Sequence, residues 1–290
     1  LETTYQVALQ AVILEELDRV KFQWRIRECG QFLLDNESSK GDWIYGTSSD
    51  RPKTESGPKD LVPWTKRDAA GRRIKPAPKT RITLTKLRDG GGDGDRSNSA
   101  FAILGLRACH DAQVLVPRAS LELADKALRA SAHDAGKSNG VMERGWTYGS
   151  GQPGGIRPSG SMTADALGSL VILSWLLDEK RDWRKDEMIH SGIDWLIRNY
   201  KSIQVPEDLT LAKIYLPYSL WAVGRLGTLY GTEAIGSHSW YNEGARDLLN
   251  SQKEDGAWDP TGGATEIERV WNTAMALLFL KRDTRPLREK

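Results

Sequence analysis

Hydrophobic positions along this chain fall into two kinds of segment that alternate. Four segments share one order: Ser or Thr, two residues, Ala, an aliphatic residue, Leu or Gly, any residue, Leu. They are Ser99–Leu106, Thr163–Leu170, Ser219–Leu226 and Thr273–Leu280, with starts 64, 56 and 54 residues apart. Each is apolar nearly all round and rich in small residues, as in a helix covered on both sides. Thr4–Leu9 reads as a degraded fifth copy. Between the copies, near 22–35, 118–134, 183–200 and 238–252, charged and apolar positions alternate at helical spacing, which predicts surface helices. The buried helices are predicted near 4–18, 98–111, 161–178, 211–229 and 267–281. Such pairs stack on their neighbours and share one core, so the expectation is a single all-α repeat domain over 1–290 with no substantial sheet.

A second repeat follows the surface helices. Gly41–Gly46 and Gly145–Gly149 both contain Trp-x-Tyr-Gly, and Gln252–Trp258 is a third copy, which Asn36–Trp43 matches with Asn for Gln. The glycine supplies a left-handed turn at the helix end. The Trp after it then folds back as a plug between layers. Residues 47–96 break the pattern. They are rich in Pro, Gly, Lys and Arg, and they hold Asp89, Asp93 and Asp95 in a Gly-rich run. Thirteen basic residues against seven acidic ones stand between 46 and 96. An insertion this long is a solvated loop or a ligand-clamping flap.

Composition narrows the classes. Of 290 residues, 39% are hydrophobic and 28% charged, which suits a globular chain. A net charge of +2 gives no case for nucleic acid or an anionic membrane. No apolar run reaches the roughly 18 residues of a membrane span. Cys29 and Cys109 have neither CxxC nor zinc-knuckle spacing and do not fix the compartment. The chain starts at Leu1, inside a helical pattern, and reads as a piece of a longer protein. The expectation taken forward is an exported or periplasmic bacterial protein.

The interleaved repeats carry a resemblance. Gln252–Trp258, with Leu248-Leu249 before it, resembles the QW motif of squalene–hopene and oxidosqualene cyclases. The Ser/Thr-x-x-Ala helices resemble the inner ring of the α/α toroid shared by terpenoid cyclases and protein prenyltransferases. Ser97–Leu106, Ser161–Ala164, His238–Tyr241 and Thr273–Leu280 resemble uncharacterised bacterial proteins with prenyltransferase and squalene oxidase repeats, familiar from planctomycetes. The resemblance implies a toroid of inner and outer helices, complete or open, interrupted by the 47–96 insertion.

The chemistry of those relatives does not carry over. Cyclases place Asp-x-Asp-Asp-Thr-Ala ahead of an inner helix, and the second Asp protonates the substrate. Registered on Ser99-Ala100, that position is Ser97, with Asp95 and Asn98 at the first and third. A serine hydroxyl is far too weak an acid. Cys109-His110-Asp111 is the nearest zinc candidate, but consecutive helix positions point about 100° apart. No DDxxD exists, and Asp89, Asp93 and Asp95 lack the closing Glu of a calcium loop. Neither metal nor other cofactor is expected.

Asp165 stands where the other copies have Phe101, Trp221 and Met275. A carboxylate there either works as an acid or base in a wet cavity or pairs within the helix ring, with an Arg as one partner. In the second case Asp165→Asn is expected to be tolerated. The other cavity candidates are Asp95, Asn98, Trp146, Tyr148, Trp221, His238, Trp240 and Tyr241, each with a bland alternative as staple or cap. Asn98 and Asn272 are expected to cap helices. The reading that results is a non-catalytic binding or scaffold module for an apolar or glycan-like ligand or for other domains of its parent protein. Its alternative is a divergent isoprenoid or carbohydrate-active enzyme using Asp165.

Overall fold

A computed structural model describes residues 1–48, 75–138, 141–149, 157–200, 209–259 and 265–287. Among them are nine α-helices: α1 (Thr4–Asp18), α2 (Gln23–Asp35), α3 (Arg96–Asp111), α4 (Arg118–Ala130), α5 (Gly160–Leu177), α6 (Glu187–Arg198), α7 (Leu209–Tyr230), α8 (Trp240–Ser251) and α9 (Glu266–Leu280). They are the five buried and four surface helices read from the pattern, with boundaries within a few residues. The caps explain several starts. Asp95 accepts from the Asn98 amide at 2.8 Å, Asp186 accepts from Met188 and Ile189, and Thr265 with Glu268 forms a capping box. Two small sheets were not foreseen. Strand β1 (Ile82–Thr83) pairs parallel with β2 (Val114–Leu115), Ile82 opposite Val114. Strands β3 (His133–Ser138) and β4 (Val141–Gly145) pair antiparallel, cutting short the helix expected to reach 134.

The chain divides into two compact units. The first comprises 1–130, 149–151 and 172–179, and the second 131–148, 152–171 and 180–290. In the first, α1, α2 and α3 pack on one another. Small residues permit the close approach: a methyl added at Gly105 would lie 2.7 Å from Leu33 Cδ1 and 2.9 Å from Ala8 Cα. In the second, α7 packs on α8 and α9. A methyl at Gly227 would strike the Trp240 indole at 2.5 Å. Helices α3 and α5 are buried along most of their length, as is α7 from Pro217 onward, whereas α4, α6 and α8 bury one stripe each, such as Trp240, Gly244 and Leu248. Cover on both sides fails for α1 and α9. Leu17 is 57% exposed and Ile267 81%, so these helices bury one face only.

The Trp plugs form a repeated bond set. The Trp43 amide donates to Ser99 Oγ, Trp146 to Thr163 Oγ1 and Trp258 to Thr273 Oγ1, each at 3.1 Å. The indole N–H of Trp43 donates to Leu33 O at 2.7 Å, and that of Trp258 to Leu248 O at 2.8 Å. Trp43 thus ties the end of α2 to the start of α3, and Trp258 ties α8 to the middle of α9. Four residues before the hydroxyl, the chain donates back to the Trp carbonyl: Asp95 to Trp43 and Ser159 to Trp146. The 47–96 insertion interrupts this set without breaking it.

The described part of that insertion is a strap along α2 rather than a free loop. The Gln23 amide donates to Thr80 O, Gln31 to Thr85 O, Asp35 accepts from the Leu87 amide and Glu37 O from the Gly90 amide. Lys75 is buried between Glu15, at 2.5 Å, and Glu16, at 2.8 Å. Residues 49–74, and with them most of the predicted flap, lie outside the described residues.

Candidate functional site

Asp165 is wholly buried on α5. The Tyr218 hydroxyl donates to its Oδ2 and Arg225 Nη2 to its Oδ1. Tyr218 and Arg225 stand seven residues apart on α7, two helical turns, and so share a face. The carboxylate is therefore held by a cation and a phenol, and its charge is offset where it lies. Arg225 is itself 2% exposed. It occupies repeat position seven, where the other copies have Gly105, Ser169 and Phe279.

On α7 the Arg225 guanidinium stacks over the Trp221 ring, 4.4 Å from its centroid. Its Nε and Nη1 have no hydrogen-bond partner among the described residues. Arg225 lines a narrow cleft of about 10 Å³ with Trp221, Trp240, Phe279, Arg282 and Asp283 among its walls. Arg282 lies over the rings of Trp240 and Tyr241, at 5.0 and 4.8 Å, and pairs with Glu233. Asp283 accepts from the Trp221 indole at 3.3 Å. Burial pushes its carboxyl above the ordinary value, against the pull of that bond and of the Arg225 charge. Trp221, Trp240 and Tyr241 are thus three sequence candidates gathered in one place. Tyr241 also donates its hydroxyl to Leu280 O at 2.9 Å.

The first unit holds a larger cleft, about 200 Å³, lined by Leu106, His110, Leu115, Val116, Arg118, Leu121 and Leu176. Five of the seven are aliphatic. His110 packs edge-on against Trp175 at 4.8 Å, and its Nδ1 is buried without a hydrogen-bond partner. Arg118 is anchored to Glu122 at 2.7 Å and to Leu177 O at 2.9 Å.

The remaining candidates are taken up elsewhere. Asp95 caps α3 and also bonds Ser97 Oγ at 2.7 Å and Asn98 Nδ2 at 2.7 Å. Asn98 is therefore inside the helix, not its cap, and its Oδ1 is buried without a partner. Asn272 is likewise mid-helix, because α9 begins at Thr265. Trp146 is a fully buried plug, and Tyr148 is 48% exposed. His238 stacks on Tyr200 at 4.1 Å and bonds Glu243 at 3.0 Å. Asp89 and Asp93 pair with Lys86 and Lys40, so they do not converge with Asp95 on a cation. Among the described residues no three His, Cys, Asp or Glu side chains cluster as a metal site. Cys109 Sγ faces Ile26 O at 3.6 Å. Burial pushes the Cys29 thiol up to about 12 and the Cys109 thiol well above its ordinary value, which leaves both unreactive.

Sequence reading missed Arg225, Arg282, Asp283 and Arg118. A signal for Arg225 was present: it is a charge inside an apolar repeat, as Asp165 is, in the adjacent copy and of opposite sign. Arg282 and Asp283 follow the last repeat in a polar tail and carried no pattern. Compared with known proteins, the chain matches no family model, no curated protein and no solved structure.

Proposed function

We propose that this chain is a helical-repeat binding module on the α/α-toroid plan of terpenoid cyclases and protein prenyltransferases, holding an apolar small molecule without transforming it. The observation that carries the reading is the cleft of about 200 Å³ with five aliphatic walls. At about 200 Å³ it is smaller than the roughly 300–1,000 Å³ of drug-sized sites and suits a slender apolar group, and like them it is mostly apolar with a few polar groups to orient the ligand. His110 and Arg118 supply those polar groups. Catalysis has no support from the acids. Ser97 stands at the cyclase proton-donor position, and Asp165 is spent on Arg225 and Tyr218. The 47–96 insertion and the terminal helices serve, on this reading, to join the module to other parts of its parent protein.

The test uses purified protein with farnesol and squalene. Displacement of a fluorescent apolar dye by farnesol is expected in the wild type, and loss of that displacement in Val116→Arg, which puts a charge in the cleft wall. Mass-spectrometric analysis of long incubations with squalene should return only squalene. Hopene-type products, or farnesol binding indifferent to Val116→Arg, would overturn the proposal.

A further inference from the structure

Buried arginines are expensive unless every donor is used, because guanidinium cannot shed its charge. Arg225 spends Nη2 on Asp165 and its face on Trp221. Nε and Nη1 remain unpartnered among the described residues, although the side chain is 2% exposed and lines an open cleft. A second cation, Arg282, stands in the same lining, held over two aromatic rings. Trp221, Trp240, Leu278 and Phe279 are the apolar walls, with Gly224, Thr228 and Thr284 between them, and they keep water from screening the Arg225 charge. Glu233 engages Arg282 from outside the lining. Asp283 is the carboxylate in the lining, and its burial makes it readier than an ordinary aspartate to give up its charge.

We propose that this cleft binds an oxyanion, the carboxylate or phosphate group of a ligand, with Arg225 as the inner donor and Arg282 as the outer one. Guanidinium presents its N–H groups in a planar fork that matches two oxygens of such a group. The enclosed space, about 10 Å³, admits one water-sized group, so a single oxygen of the ligand's charged end reaches Arg225 while the rest stays at the mouth beside Arg282. The proposal shares no residue with the apolar cleft of the first unit, so either can fail alone.

Indole N–H resonances report on the site directly, because Trp221 and Trp240 both line it. Acetate and inorganic phosphate are titrated separately into ¹⁵N-labelled protein, with ionic strength held constant by chloride. A saturable shift of the Trp221 and Trp240 indoles is expected, and the tighter of the two anions identifies the class of group. Arg282→Asn, a residue that accepts the left-handed backbone at this position (φ 49°), should weaken binding about tenfold or more. The double variant Asp165→Leu with Arg225→Met removes the buried pair together and should abolish the shift. Should that variant fail to fold, Arg282→Asn decides alone. Linear, unsaturated shifts, or equal affinity in wild type and Arg282→Asn, would overturn the proposal.

Discussion

Phe101 in α3 and Asp165 in α5 occupy the same position of the same repeat, and both are fully buried. Phe101 solves its burial by packing: its ring lies 4.7 Å from that of Tyr5. Asp165 solves the same burial with partners from α7, 53 and 60 residues away. Each side chain sits in a helix of equal burial, but the second requires two further residues of the right kind. A repeat that tolerates a charge in one copy must therefore supply the opposite charge in the next, and Arg225 is that supply. The comparison also separates what each region offers chemically. The copy around Phe101 is closed by apolar contacts, while the copy around Arg225 retains donors for something else.

The largest effect should come from splitting the buried pair. Asp165→Asn leaves the Arg225 charge without its counterion and should cost about 3–5 kcal/mol in chemical denaturation. This revises the tolerance expected from sequence, since a charged partner cannot adapt to an amide. The double variant Asp165→Leu with Arg225→Met should recover most of that loss. A single Asp165→Asn costing under about 1 kcal/mol would break the comparison, because the pair would then be no more demanding than a polar contact.

The Trp plugs test whether the repeated frame is equally strong in both regions. Trp43→Ala and Trp258→Ala should each cost about 3–5 kcal/mol, as both rings are buried and their indoles bonded. A much smaller loss at Trp258 would show that the second unit relies less on the plug. One step down, Ser99→Ala and Thr273→Val remove only the hydroxyl that accepts the Trp amide. Each should cost about 1–3 kcal/mol, with the buried Ser99 site at the upper end.

The smallest expected effect is a pH dependence carried by Glu37 and Asp283, one in each unit. Burial raises both carboxyls above their unfolded values of 4.5 and 3.8. The folded state then holds its proton longer than the unfolded state does. Stability is therefore greatest below the unfolded values and falls as pH rises through the window up to each folded value. Glu37→Gln and Asp283→Asn should flatten this fall in thermal melts from acid to neutral pH. A slope unchanged in both variants would assign the dependence to other groups.

Much of the fold was legible because its signals are local. The apolar period and the Ser/Thr-x-x-Ala order place all five buried helices, and the Gly-Trp turns mark the ends of the surface helices α2 and α8. The β3–β4 hairpin was not legible, since His133–Gly145 contains Gly, Lys, Asp and Arg where a strand pattern would show alternation. Nor was the strap: residues 75–95 carry no helical period, and what orders them is hydrogen bonding to the polar side chains of α2. Of the candidate site, Trp221 was named from sequence in a buried helix, and Trp240 and Tyr241 as aromatic residues at the start of a surface helix. Their neighbours Arg282 and Asp283 were not, because nothing local distinguishes an Arg-Asp pair in a tail from solvated charge.

What the sequence determined by itself is therefore the list of helices, their caps, their buried faces and the recurring Trp-to-hydroxyl spacing, all properties of residues close along the chain. Only the tertiary structure decided which charge meets which. Asp165 is a catalytic candidate in isolation and half of a neutral pair once α7 lies against it. Only the tertiary structure, too, left α1 and α9 covered on one face where their composition suits two. Periodicity reports how a side chain faces its own helix axis, whereas a partner 60 residues distant is set by packing. A buried charge depends on that partner for its whole energy.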